Sequence, residues 1–331
     1  MFAALSHLSR RRALQASAAA LVVFGLLLWW LLPVGESSPQ GRMTFSTGVK
    51  GAVYETYGKL LRNAAADDMP DVDIDLLNSQ GSQQNVERVA TGKADFTIAA
   101  ADAVEKYRLE DRPGADRLQG CARLYDDYVQ LVVRRSSEIE RARDLRGQRV
   151  AVGQPRSGVR LIAERVLKAA GLRLDKDVEA RPAGIDTAPE LLRNGDIDAF
   201  FWSGGLPTSS VRELSEGLAV RLVPLGDLVN ALHKQGGASR YYRAATMPAD
   251  AYPQAQQSAS VPTLAVANLL VTTDRADPEL TEGLTRTVID SRDHIGAQVH
   301  AAQLVDLRTA LYTDPLTLHE GARRYYRSVK P

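Results

Sequence analysis

The pattern that leaves this chain the fewest architectures is one plan run twice: an apolar strand, a loop carrying glycine and hydroxyl residues, then a helix. In the first run, residues 43–47 read as a strand and 53–66 carry apolar residues at helical spacing. Val72, Ile74 and Leu76 alternate with acids, as a half-buried strand does. Ser82 can cap a helix that reaches Gly92, and 95–99 is the next strand. The second run has strands at 129–133, 150–152 and 199–202, and a helix at 159–170 stopped by Gly171. A long apolar strand at 264–272, a helix at 278–292 and a short basic helix within 319–330 complete the chain, and 254–260 reads as a polar loop. Strands alternating with helices predict an α/β fold, with a mainly parallel sheet covered by helices.

Four loops that follow strands hold the candidate site residues. The first contains Thr47, Gly48, Lys50, Gly51 and Tyr54. Its glycines let backbone approach a ligand, and the helix start behind it offers free N–H groups. It does not fit the glycine-lysine pattern of a nucleotide phosphate loop. The second contains Gly81, Ser82 and Asn85, where Ser82 also suits helix capping. The third contains Ser157, Gly158 and Arg160. Ser157 sits in Arg-Ser-Gly, which does not mark a nucleophile. The fourth contains Trp202, Gly204 and Gly205, an indole face beside bare backbone, although Trp202 serves core packing equally well. In open α/β sheets such loops line the ligand crevice, and helix N-termini there favour an anion. Lys50 and Arg160 are the expected added cations, with Arg156 a weaker one. The plain alternative is that they face solvent or pair with nearby acids.

Composition excludes several function classes. Lys+Arg number 41 against 40 Asp+Glu, a net charge of +1, so nothing recommends a nucleic-acid partner. The 5 histidines lack ligand spacing, which predicts neither metal nor cofactor. No nucleophile–base pair is visible, which predicts a binder and not an enzyme. Cys121, the single cysteine, reads as a small buried apolar residue. Asp67-Asp68 and Asp126-Asp127 read as solvated charge, and Tyr241-Tyr242 as core or surface. At the N-terminus, Arg10, Arg11 and Arg12 precede an apolar run at 13–32. At about 1.5 Å per residue that run can span a hydrocarbon core of about 30 Å, with the arginines on the cytoplasmic side. The expectation is a cytoplasmic segment 1–12, a transmembrane anchor at 13–34, a linker at 35–42 and a body outside the cytoplasm. Secretion after signal cleavage is the alternative.

Taken in order, the loops resemble one family, the TAXI group of solute receptors of TRAP transporters. The resemblance runs from about Thr44 to about His300. It rests on Thr47-Gly48 with Gly51, Tyr54 and Gly58; Gly81-Ser82 with Asn85; Gly92 with Ala94-Asp95; the stretch 144–150 before Ser157-Gly158; Gly195 with 197–201; Gly204-Gly205 with Pro207; and Met247-Pro248, Tyr252-Pro253, 261–263 and 268–270. It implies the type II periplasmic-binding clamp, two α/β lobes joined by crossover strands. Lobe 1 would comprise 43–129 and 268–331, and lobe 2 would comprise 130–267. It further implies a receptor that binds a small carboxylate, glutamate-like or oxo-acid-like, and passes it to a TRAP-type membrane permease; the chain is expected to act as a monomer. Lys50 and Val159 depart from the family's usual small or hydroxyl residue and threonine, and both flank the expected pocket. A membrane-tethered sensor on the same fold is the second reading.

Overall fold

The computed structural model describes residues 21–24 and 39–329. The chain divides into two units, Met1–Ser38 and Pro39–Pro331. In the first unit, residues 21–24 are helical and exposed. The rest of the expected 1–12 and 13–34 segments lies outside the described residues. Among the described residues, no helix is long and apolar enough to cross a membrane. The expected linker ends early, because the first strand already begins at Gly41.

The second unit alternates strands and helices. The first set is β1 (Gly41–Ser46), α1 (Val53–Asp68), β2 (Val72–Leu77), α2 (Ser82–Ala90), β3 (Phe96–Ala100) and α3 (Ala101–Leu109). A long strand, β4 (Leu118–Arg134), leads to the second set: β5 (Arg149–Ala151), α4 (Gly158–Ala169), β6 (Glu179–Arg181), α5 (Ala188–Asn194), β7 (Ala199–Gly204) and α6 (Ser209–Gly217). Then come β8 (Val220–Leu222), α7 (Val229–Gln235), β9 (Arg243–Met247), the long β10 (Val261–Thr273), α8 (Pro278–Asp290) and α9 (Glu320–Ser328).

One sheet collects the ten strands in the order β2-β1-β3-β10-β4-β7-β5-β6, with β8 added to β4 and β9 to β10. Its two ends are built alike. On one, β1 pairs in parallel with β2 and β3. On the other, β5 pairs in parallel with β6 and β7. Between them β4 and β10 run antiparallel to each other and to the strands they meet, β7 and β3. Each long strand follows one set in sequence and hydrogen-bonds to the other set in space.

Burial follows the pattern a two-sided sheet requires. β3 and β7 are buried along their whole length, as strands covered on both faces must be. One apolar cluster gathers Val129, Leu131, Val150, Ile162, Phe200 and Leu264 around the second strand set. Another gathers Met43, Phe45, Tyr57, Ile98, Leu270 and Leu284 around the first. Cys121 is fully buried in the latter cluster. At the C-terminal end, Tyr325 is buried and Tyr326 donates to the Cys121 carbonyl at 3.1 Å.

Candidate functional site

The carboxyl ends of both parallel strand sets point at one cleft. The β1–α1 loop supplies Gly48 and Val49, and α1 supplies Val53 and Tyr54. The β2–α2 loop supplies Gly81 and Ser82. From the other side come Gly153, Ser157 and Gly158 of the β5–α4 loop, Ile185, and the end of β7 with Trp202 and Ser203. The cavity holds about 70 Å³. A water needs about 10–15 Å³ on the same measure, so the space admits a small molecule of a few non-hydrogen atoms.

Local chemistry explains why these loops approach so closely. Ser157 caps α4, its Oγ accepting from the Arg160 amide at 3.1 Å. Gly153 sits at φ +79°, and a Cβ there would lie 2.7 Å from Ser157 Oγ and 2.8 Å from Val159 Cβ. Gly81 is at φ +121°, and a Cβ there would stand 3.4 Å from Ser157 Cα across the cleft. The two loops also touch directly: Gln83 Nε2 donates to the Ser157 carbonyl at 2.7 Å and the Gln84 amide to the Arg156 carbonyl at 3.2 Å. Arg156 pairs with Glu87 beside them. The starts of α2 and α4 therefore meet over the cavity, and the first-turn N–H groups of a helix have no partner inside it.

Among the described residues, the one charged residue lining the cavity is Asp127 of β4, 5% exposed. Burial pushes its carboxyl up to about 7; neighbouring Asn268 and Ser203 favour the charged form, and buried Asp102 opposes it. Among the described residues, Asp127 Oδ1, Asn268 Nδ2 and Ser203 Oγ make no hydrogen bond of normal geometry. Tyr54 reaches the same corner, its hydroxyl donating to Asn268 Oδ1 and lying 3.1 Å from Ser82 Oγ. The β10–β4 pairing shifts register between Ala267 and Leu269, so Asn268 lies outside the β4 ladder. Such bulges bend a strand and re-aim side chains.

A family model described as NMT1-like matches residues 45–329. The chain belongs to the NMT1-like family. Among solved structures it resembles the binding protein component of an ABC phosphonate transporter from Pseudomonas aeruginosa, at 10% identity and TM-score 0.54 over 80% of each chain. A putative L-cystine ABC transporter from Listeria monocytogenes matches at 13% identity and TM-score 0.50, over 81% of this chain and 99% of that one. An ancestral arginine-binding protein matches at 14% identity and TM-score 0.50, over 78% and 98%. At such identities the likeness concerns the fold, which is α/β and periplasmic-binding-protein-like. Solved neighbours of this fold include solute-binding components of transporters, such as the phosphonate-binding one.

In this NMT1-like chain the cavity brings together Gly48, Tyr54, Gly81, Ser82, Ser157, Gly158, Trp202 and Gly204. Gly51 and Gly205 line an adjoining pocket that shares Trp202. Thr47, Lys50, Asn85 and Arg160 line neither. Thr47 is fully buried, with its hydroxyl on the Leu77 carbonyl. Asn85, also fully buried, accepts from Ser46 Oγ and donates to the Thr47 and Ile98 carbonyls, tying β1 to β3. Lys50 is exposed. Arg160 follows Ser157 into the first turn of α4, and its side chain lies outside the cavity. Trp202 combines both of its readings: its Nε1–H donates to Thr208 Oγ1 at 2.9 Å while the ring lines the cavity.

The reading of Asp126-Asp127 as solvated charge is also corrected. Asp126 pairs with Arg123 and Arg243, and Asp127 turns into the cavity. The sequence carried a usable signal. Asp127 falls in the alternation of Tyr125, Val129 and Leu131, all buried, so period two places it on the inner face.

Proposed function

We propose that this chain is the extracytoplasmic solute-binding receptor of a TRAP-type secondary transporter, and that it binds a small carboxylate in the cleft. The observation that carries this reading is the cavity itself. It lies at the carboxyl ends of two like-built strand sets, beneath helix starts contributed by both. That is where open α/β sheets take ligands, and helix N-termini supply N–H donors and partial positive charge for an anion. With Lys50 and Arg160 outside the cavity, the carboxylate is held by backbone N–H groups at Ser82 and Gly158 and by hydroxyls. The proposed lobes are 43–129 with 268–331, and 130–267. The paired β4 and β10 cross between them as the hinge.

The partners in this proposal are the small carboxylate, a TRAP-type permease and the membrane, reached through the apolar run at 13–34; the receptor acts as a monomer. Two experiments test it. Mass spectrometry of the full chain, purified in detergent and then denatured, should release one small carboxylate in near-stoichiometric amount. Release of none contradicts the receptor reading. Protease added to intact cells should remove the body and leave the tether in the membrane. A mature N-terminus found after Leu32 contradicts the anchor.

A further inference from the structure

We infer that the ligand carries a protonated amino group and that the Asp127 carboxylate is its anchor, so that the solute is an amino acid and not an oxo acid. This rests on the receptor reading and deepens it.

Asp127 is buried on β4, lines the cavity and leaves Oδ1 without a partner among the described residues. Among the described residues, no lysine or arginine lines the cavity with it. Arg165 of α4, a half-buried cation, is already engaged by Asp102 at 2.8 Å. An unpaired buried acid is costly, and a protein retains one where a ligand donor completes it. A compact ammonium has three donors and the opposite charge. The Tyr54 hydroxyl is committed to Asn268 Oδ1, while Asn268 Nδ2 and Ser203 Oγ remain unpaired beside the carboxylate. Burial has pushed Asp127 up to about 7, the response of a carboxyl that lacks its counter-charge. The helix starts at Ser82 and Gly158 take the solute's own carboxylate. Val53, Val159, Ile162 and Trp202 wall the space between. A short zwitterion with an apolar body satisfies all three features.

Calorimetry on the full chain in detergent, using pairs that differ at one group, tests this. The pairs are alanine and pyruvate, valine and 3-methyl-2-oxobutanoate, and glutamate and 2-oxoglutarate. The amino acid of at least one pair should bind between about ten- and a hundredfold more tightly than its oxo partner, the range of one charge-assisted contact. Asp127→Asn should erase that margin. If the variant does not fold, the ratio on the parent chain decides. The inference is overturned by oxo acids that match or exceed their partners, by a margin that survives Asp127→Asn, or by a panel in which nothing binds. A released solute without an amino group overturns it too and leaves the receptor reading standing. No released solute together with an unbound panel overturns both.

Discussion

Asp127 ties the cleft to pH. Its carboxyl ionises near 7 in the folded chain, against an ordinary value of 3.8. Between those values the folded state keeps a proton that the unfolded chain has lost. The contribution of this group to stability is therefore full below about pH 4, falls as pH rises towards 7 and levels off above it. Taken whole, such a shift corresponds to about 4 kcal/mol. Asp127→Asn should match the parent near pH 4 and exceed it by a few kcal/mol at pH 8 in urea denaturation; equal curves at both pH values contradict the burial argument. Binding has the opposite sign. An ammonium needs the ionised acid, so its affinity should climb by up to tenfold per pH unit from 5 to 7, then flatten. A ligand carboxyl facing Asp127 would weaken over that range. The charged and titratable groups around Asp127 are Tyr54 on α1, Asp102 on α3 with its partner Arg165 on α4, and Tyr125 on β4 itself. At Gly153, Ala substitution adds a Cβ into Ser157 Oγ and Val159 at positive φ, and should cost about 1–3 kcal/mol with a matching loss of affinity. The loops after strands could be read from the sequence, and their Gly48, Gly81, Ser82, Ser157, Gly158 and Gly204 line the cavity. Lys50 and Arg160 lie outside the cavity lining, since a residue's spacing from a loop says nothing of which way a long side chain leaves it.

At the scale of elements, the long strands and helices could be read directly: α1, α2, α4 and α8 by helical spacing or caps, and the cores of β4 and β10 as apolar runs. β6 and β8 could not, because three residues do not complete a period and β6 is mostly solvent-facing. The extent of β4 was hidden by Arg123, Asp126 and Asp127, charges that break an apolar run but pair or turn inward in the fold. The 254–260 loop begins inside a helical turn, Pro253–Gln256, which a polar composition conceals. A second contact between the strand sets joins α3 to α4. Arg165 Nη1 lies 2.8 Å from Asp102 Oδ2 and 3.2 Å from the Tyr242 hydroxyl, with the two charged side chains 11% and 0% exposed. Breaking such a buried pair strands one charge. Arg165→Met should cost about 3–5 kcal/mol in urea denaturation, and adding Asp102→Asn should recover most of it. A single variant as stable as the parent contradicts that account.

For the whole molecule, the consequential feature is the like construction of the two ends of the sheet. Each presents a central parallel strand whose carboxyl end opens on the cavity, and neither encloses the cavity alone. The ends are joined by antiparallel strands and touch again at the starts of α2 and α4, through Gln83, Gln84 and the Arg156–Glu87 pair. A solute between them adds contacts that neither end makes by itself, so its binding free energy favours the state in which they meet. That is the central claim, and hydrogen–deuterium exchange on the full chain measures it. With the solute released from the purified protein added back at saturation, amides at 80–85 and at 157–162 should slow together by at least tenfold, while those of α9 stay unchanged. Protection confined to one of the two segments, or absent from both, contradicts it.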